Sequence, residues 1–342
     1  MQTANRKYRR SVKAIRIISL FVVTICHLPS YILHAQIIAP SPYEIYSTEP
    51  KFNRTFIKTN KIKTITSSVV DKPDGEIIRD KGLAQVFAFD TAGNMVHQYY
   101  NEITSLEKTE IEIPAVYKHG KVIKKAHTKI DYQYQYDTLG TEYFYSSNGY
   151  LKMKRVCLGN FYHSTYYEYF GDGLVSRQTL CKETNLAKAG EVFKLGVQTI
   201  ISDEKFEYEQ LTPVQVKKKF LNDEGKPYKQ GILNFVNGKP MDESYEFIVG
   251  FIRSGITYKY DAHERLVEKI MTDNSSGNSI EKITYEYDAS GNVVSEKQFK
   301  NGTQVDEIVY LYDESKKLMT SQIDRQLLKA SIKIVKYEYE FY

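Results

Sequence analysis

One short phrase constrains this chain more than any other feature, because it returns in register. Tyr285-x-Tyr287-Asp288-x-x-Gly291-x-Val293 has a close relative at Tyr258-x-Tyr260-Asp261, where Glu264 replaces the glycine. Another begins at Tyr310-x-Tyr312-Asp313, with Lys316 at that place, and Tyr337-x-Tyr339-Glu340 opens a fourth. The steps between these starts are 27, 25 and 27 residues. Upstream stand Phe87-x-Phe89-Asp90-x-x-Gly93 and Tyr134-x-Tyr136-Asp137-x-x-Gly140. Two looser copies without aspartate start at Tyr143 and Tyr167 and carry Gly149 and Gly173.

Each part of the phrase has a physical reading. Tyrosines alternating with polar residues have the two-residue period of a strand. In "TKIDYQYQYD", Ile130, Tyr132, Tyr134 and Tyr136 share one face, and Lys129, Asp131, Gln133 and Gln135 the other, so the first face is expected to be covered. The aspartate hydrogen-bonds turn amides, and glycine supplies positive φ. Asp90, Gly93, Asp137, Gly140, Asp288 and Gly291 are therefore expected to be structural turn residues. Asn301-Gly302, Asn237-Gly238 and Asp74-Gly75 are second, hairpin-type turns. One β-hairpin per repeat follows. The expected fold is all-β, with repeated antiparallel hairpins forming an elongated twisted sheet or meander; a β-solenoid and a β-barrel are the alternatives. Cys157 and Cys181 occupy equivalent repeat positions, which in a meander lie two strands apart, too far for a disulfide.

"YEYDASGNVVSEKQF" and its copies resemble YD repeats, the tyrosine–aspartate units of RHS-like exported bacterial proteins. The resemblance covers residues 81–183 and 257–342 and implies wound hairpins and an exported setting. Neither a toxin segment nor a protease-like core is present, and the chain is too short for a shell. Residues 184–256 form a divergent β-hairpin segment whose Gly-Lys-Pro turns are similar to MORN-like repeats.

Arg6, Lys7, Arg9, Arg10, Lys13 and Arg16 precede an apolar run, Ile17 to Leu28, and Ala35-Gln36 offers a cleavage junction. That run is shorter than the roughly 20 residues of a spanning helix, so residues 1–35 read as a secretory signal. Residues 36–80 read as an extended lead-in with the first strands. The formal charge of the whole chain is +5; without the signal's six basic residues it is −1. That balance predicts no nucleic-acid patch, and the signal predicts a place in the periplasm, at the cell surface or outside the cell.

No catalytic, cofactor or metal residues are expected. One carboxylate per turn is too few for a calcium loop, and His97, His119, His127, His163 and His263 form no zinc pair. A nucleophile elbow, a phosphate loop and a dinucleotide fingerprint are all lacking. The expected role is a binding or scaffolding module for a cell-surface glycan or protein. A hydrolase and an outer-membrane barrel are the alternatives; few Leu or Val flank the tyrosines, which argues against a lipid-facing band.

Overall fold

The computed structural model describes residues 36–40, 52–73, 75, 78–119, 121–187, 191–275, 277–315 and 317–342. The signal segment 1–35 lies outside the described residues, as do residues 41–51 of the lead-in. A short helix, α1 (Arg54–Thr59), opens the fold, and strands follow: β1 (Ile62–Pro73), β2 (Arg79–Phe89), β3 (Met95–Ile113), β4 (Val116–Lys118) and β5 (Lys121–Lys124). Next come β6 (His127–Tyr145), β7 (Leu151–Cys157), β8 (Tyr162–Tyr169), β9 (Val175–Asn185) and β10 (Leu195–Thr212). The series continues with β11 (Gln215–Leu221), β12 (Pro227–Val236), β13 (Lys239–Phe247), β14 (Arg253–Tyr260) and β15 (Leu266–Asp273). It ends with β16 (Ser279–Tyr287), β17 (Val293–Lys300), β18 (Thr303–Tyr312), β19 (Met319–Gln326) and β20 (Ser331–Phe341).

Eighteen strands belong to one sheet, while β4 and β5 form a separate hairpin. β1 is hydrogen-bonded to β2 on one side and to β20, the last strand, on the other, antiparallel in both cases. This is the connectivity of the barrel alternative. The elongated sheet with free terminal strands does not form, because each terminal strand satisfies an edge of the other. Their alternation matches: Ile65, Ser67 and Val69 face Tyr339, Tyr337 and Val335 in register, and Ile65, Val69, Val335 and Tyr337 are buried.

The chain divides into two compact units. One holds Phe206–Val305 with the described residues up to Phe56. In it β11 to β16 each pair antiparallel with the next strand along the chain. Its core gathers Ile256, Tyr258, Leu266, Tyr285 and Val293, together with Ile37 and Phe56. Ile38 bridges to Phe52, and the Asn53 amide donates to the Ile37 carbonyl at 2.8 Å. The other unit holds Ile57–Lys205 and Asp306–Tyr342. Its core gathers Ile62, Ile65, Phe87, Phe89, Tyr143, Tyr310, Met319 and Val335.

Turns repeat as the tyrosines do. The Asp288 amide donates to the Asn292 carbonyl at 2.9 Å, and the Gly291 amide returns to the Asp288 carbonyl at 3.0 Å. The same pair of bonds recurs from Asp90, Ser146, Phe170, Asn222 and Asp261, so the divergent segment carries the turn as well. Gly291 has φ of +89°, a conformation in which a side chain is strained. Glu264 occupies the equivalent place in its own turn at φ of +62°.

The second tyrosine of the phrase has a distinct task. Its strand slips register there, so Tyr287 faces Val293 and Tyr260 faces Leu266 across a bulge. The hydroxyl then donates to the carbonyl that follows the preceding turn: Tyr287 to Leu266 at 2.6 Å, Tyr339 to Met319 at 2.6 Å, Tyr169 to Leu151 at 2.8 Å. Tyr145 does the same to Met95, at 2.9 Å. Each such bond contributes about 0.5–1.5 kcal/mol net. The first tyrosine goes into the core instead: Tyr143, Tyr258, Tyr285, Tyr310 and Tyr337 are all buried.

Candidate functional site

The expected turn residues separate into two groups. Asp90 Oδ1 accepts the Ala92 and Asn94 amides at 2.9 Å each, and Asp288 Oδ1 accepts the Ser290 and Asn292 amides at 2.9 Å each. Gly93 and Gly291 follow in the left-handed region. Asp137 and Gly140 do not turn. Both lie inside β6, where Asp137 faces Glu102 and Gly140 faces Tyr99 of β3. The reason is room: the copies at Tyr134 and Tyr143 start nine residues apart, too close for two chain reversals. The turn forms at the second copy, at Ser146 to Gly149. That spacing was a readable signal.

Without its turn, β6 becomes a 19-residue strand, and its even-numbered side chains share one face. Tyr132, Tyr134 and Tyr136 form a ladder along that face, with ring centroids 6.4 Å and 6.5 Å apart. The expected cover is missing: Tyr136 is exposed, Tyr132 and Tyr134 are half-buried, and most of the surrounding hairpin is exposed on both faces. Tyr136 is anchored at its tip, where its hydroxyl donates to the Lys81 carbonyl. Gly82 permits this approach, since a Cβ there would sit 2.7 Å from that hydroxyl.

The ladder's face runs on into a cavity. Past Tyr136 on β6 come Thr138, Gly140 and Glu142, which line a space of about 330 Å³. Tyr99 and His97 from β3, Arg155 and Cys157 from β7, and Tyr162 from β8 complete the wall. Gly140 leaves the floor open, and a Cβ there would meet only ordinary contacts, the nearest at 3.7 Å. Burial pushes the Tyr162 hydroxyl's pKa up, with Cys157 and Glu142 adding to the effect against a hydrogen bond with Asn185.

Behind the cavity lies a buried polar network spread over five strands. Arg155 Nε lies 3.3 Å from Glu183 Oε2 and 3.2 Å from Ser164 Oγ, and Nη1 is 3.5 Å from Glu142 Oε2. Its guanidinium stacks 3.7 Å from the Phe193 ring centroid. Glu183 is fully buried and accepts hydrogen bonds from Ser164, Tyr166 at 2.6 Å and Gln198 at 2.7 Å. Burial alone would raise the Glu183 carboxyl's pKa. The three hydrogen bonds and Arg155 outweigh it and hold the group below the usual carboxylate value. Tyr166 is pushed up to about 12, first by burial and then by Glu183. Arg155 is thus committed inward, and the half-exposed groups left to a ligand are the Glu142 carboxylate, tyrosine hydroxyls and an imidazole. Nothing in the repeat pattern signalled this network, because its members come from strands with unrelated local sequence.

Cys157 and Cys181 are free thiols on β7 and β9, with β8 between them. Among the described residues no group of three or more His, Cys, Asp or Glu side chains is placed to hold a metal ion.

No family model matches this chain, and no curated protein matches it. Among solved structures, a porin-like protein from Bacteroides uniformis ATCC 8492 is 10% identical with a TM-score of 0.35, covering 82% of this chain and 98% of that one. A porin-like protein from Bacteroides vulgatus ATCC 8482 is 11% identical with a TM-score of 0.28, covering 80% and 97%. The TcdB2-TccC3-Cdc42 structure is 10% identical with a TM-score of 0.27, covering 70% of this chain and 15% of that one. At TM-scores this low, the likenesses decide neither fold nor function.

Proposed function

We propose that this chain is an exported β-repeat binding protein of the bacterial cell envelope, with the ladder and cavity of β6 as its ligand track and a glycan as its ligand. The observation that carries the reading is continuity: a ladder of three tyrosines, the first two stacked and the third tilted, leads in register into a cavity walled by tyrosines, an imidazole and a carboxylate. Ring faces suit the apolar faces of sugars, and phenol hydroxyls add hydrogen bonds. The YD-like phrase agrees with an exported setting. Binding rather than catalysis is favoured because the buried acid, Glu183, is fully engaged by its neighbours.

The test is a glycan-array screen of residues 36–342 beside Tyr134→Ala. Tyr134 is half-buried on an exposed hairpin, so its loss should abolish or weaken binding at least tenfold while the melting temperature holds. A uniformly negative array with folded protein would sink the reading.

An outer-membrane barrel is the second reading, and the β1–β20 pairing favours it. Among the described residues no helix is long and apolar enough to cross a membrane, which says nothing of strands. Lipid-facing strands need an uncharged apolar band on one face. In β14 and β15 one face carries the Lys259–Glu268 ion pair at 2.6 Å, and the other carries buried Lys269 beside Tyr258. Folded protein released only by detergent would favour this second reading.

A further inference from the structure

Gln36 is buried although it stands at the junction where export would cut the chain. It is 2% exposed, and the next residue, Ile37, is 0% exposed. Its side chain packs on the Asp288–Gly291 turn: a Cβ built on Gly291 would lie 3.3 Å from Gln36 Nε2 and 3.8 Å from Arg265 Nη1. Among the described residues Gln36 Nε2 has no hydrogen-bond partner. A buried amide donor without a partner is costly. Cleavage after Ala35 would add a second cost, because the new α-amine, with a pKa of about 8, carries charge at neutral pH. Gln36 is 2% exposed and its side chain lies near Arg265, which is ion-paired with Asp261 at 2.6 Å; a charge added on so buried a residue is costly unless it finds a partner of its own.

We infer that the mature chain begins with pyroglutamate formed from Gln36. The step rests on the export reading and is balanced without any oxidant. The neutral α-nitrogen attacks the side-chain Cδ, the Cδ–Nε2 bond breaks, and the amide nitrogen leaves as ammonia with the proton given up by the amine. The product is a neutral five-membered lactam. One reaction removes the buried orphan donor and the buried positive charge together. Ile37 stays buried and tied to the fold by its carbonyl, which accepts the Asn53 amide.

The full chain, with its first 35 residues, is expressed in an exporting bacterial host, and the purified product is read by intact mass and by its N-terminal peptide. The expected product starts at Gln36 and is lighter by one ammonia. It resists pyroglutamyl aminopeptidase while folded and yields to it once unfolded. A chain that starts at Gln36 with its amide intact overturns the inference and leaves the export reading standing. A chain cut elsewhere, or exported with residues 1–35 attached, overturns the inference alone; a chain retained in the cytoplasm overturns both. Gln36→Asn, which cannot close a five-membered lactam of this kind, provides the companion measurement. It should be cut at the same junction, keep its free amine and melt at a lower temperature than the cyclised protein. Equal melting temperatures would overturn the stated reason for the modification.

Discussion

Tyr287 and Gly291 stand four residues apart and are needed for different reasons. Tyr287 matters for its hydroxyl, since the ring would remain in Tyr287→Phe while the 2.6 Å bond to the Leu266 carbonyl would go. The expected loss is about 1 kcal/mol in denaturant unfolding, repeated in kind at Tyr339 and at Tyr260, whose hydroxyl donates to the Pro240 carbonyl at 2.9 Å; no loss at Tyr287 would show that water replaces the bond. Gly291 matters for its backbone, and Gly291→Val should cost about 1–3 kcal/mol from strain alone, with Gln36 crowded in addition. Gly140→Val is the opposite case. Gly140 lies in a strand without positive φ and with ordinary contacts, so valine should leave the midpoint nearly unchanged and fill the cavity beside β6. A large loss of stability at Gly140 would contradict the strand assignment.

At the scale of elements, β6 to β10 are tied together by the Arg155–Glu183 network. Glu183 has a folded pKa below its unfolded value of 4.5. Its contribution is therefore fully present above the unfolded value and is lost as pH falls through the lower folded value. Glu183→Gln removes that acid-side loss and leaves Arg155 without its buried partner. The variant should be about 3–5 kcal/mol less stable at neutral pH and show a flatter acid limb in urea unfolding between neutral pH and pH 3. A variant with the parent's acid limb would show that Glu183 carries no charge in the folded protein.

For the whole molecule, the decisive contact is between the first strand and the last. β20 lies between β1 and β19 and pairs with both. Removing residues 331–342 would uncover an edge on each neighbour, and exposed edges template aggregation. The shortened chain should lose its cooperative melt and elute as aggregates in size-exclusion chromatography. A monomeric product with the parent's melting curve would mean that the terminal pairing adds little.

The sequence by itself determined the all-β class, the hairpin unit and the turn chemistry at Asp90 and Asp288, because these depend on residues close together in the chain. A two-residue period and an Asp-x-x-Gly bend are local, and local steric and hydrogen-bonding rules are enough to read them. The same local rules misplaced Asp137 and Gly140, where two turn phrases nine residues apart competed and only one chain reversal fitted. The tertiary structure alone decided that β20 returns to β1, that Tyr136 stands exposed with Tyr132 and Tyr134 only half-buried, and that Arg155 meets Glu183. Those outcomes depend on strand order and on which distant faces meet. A periodic pattern leaves both open, since every repeat offers nearly the same edge and the same face to its neighbours.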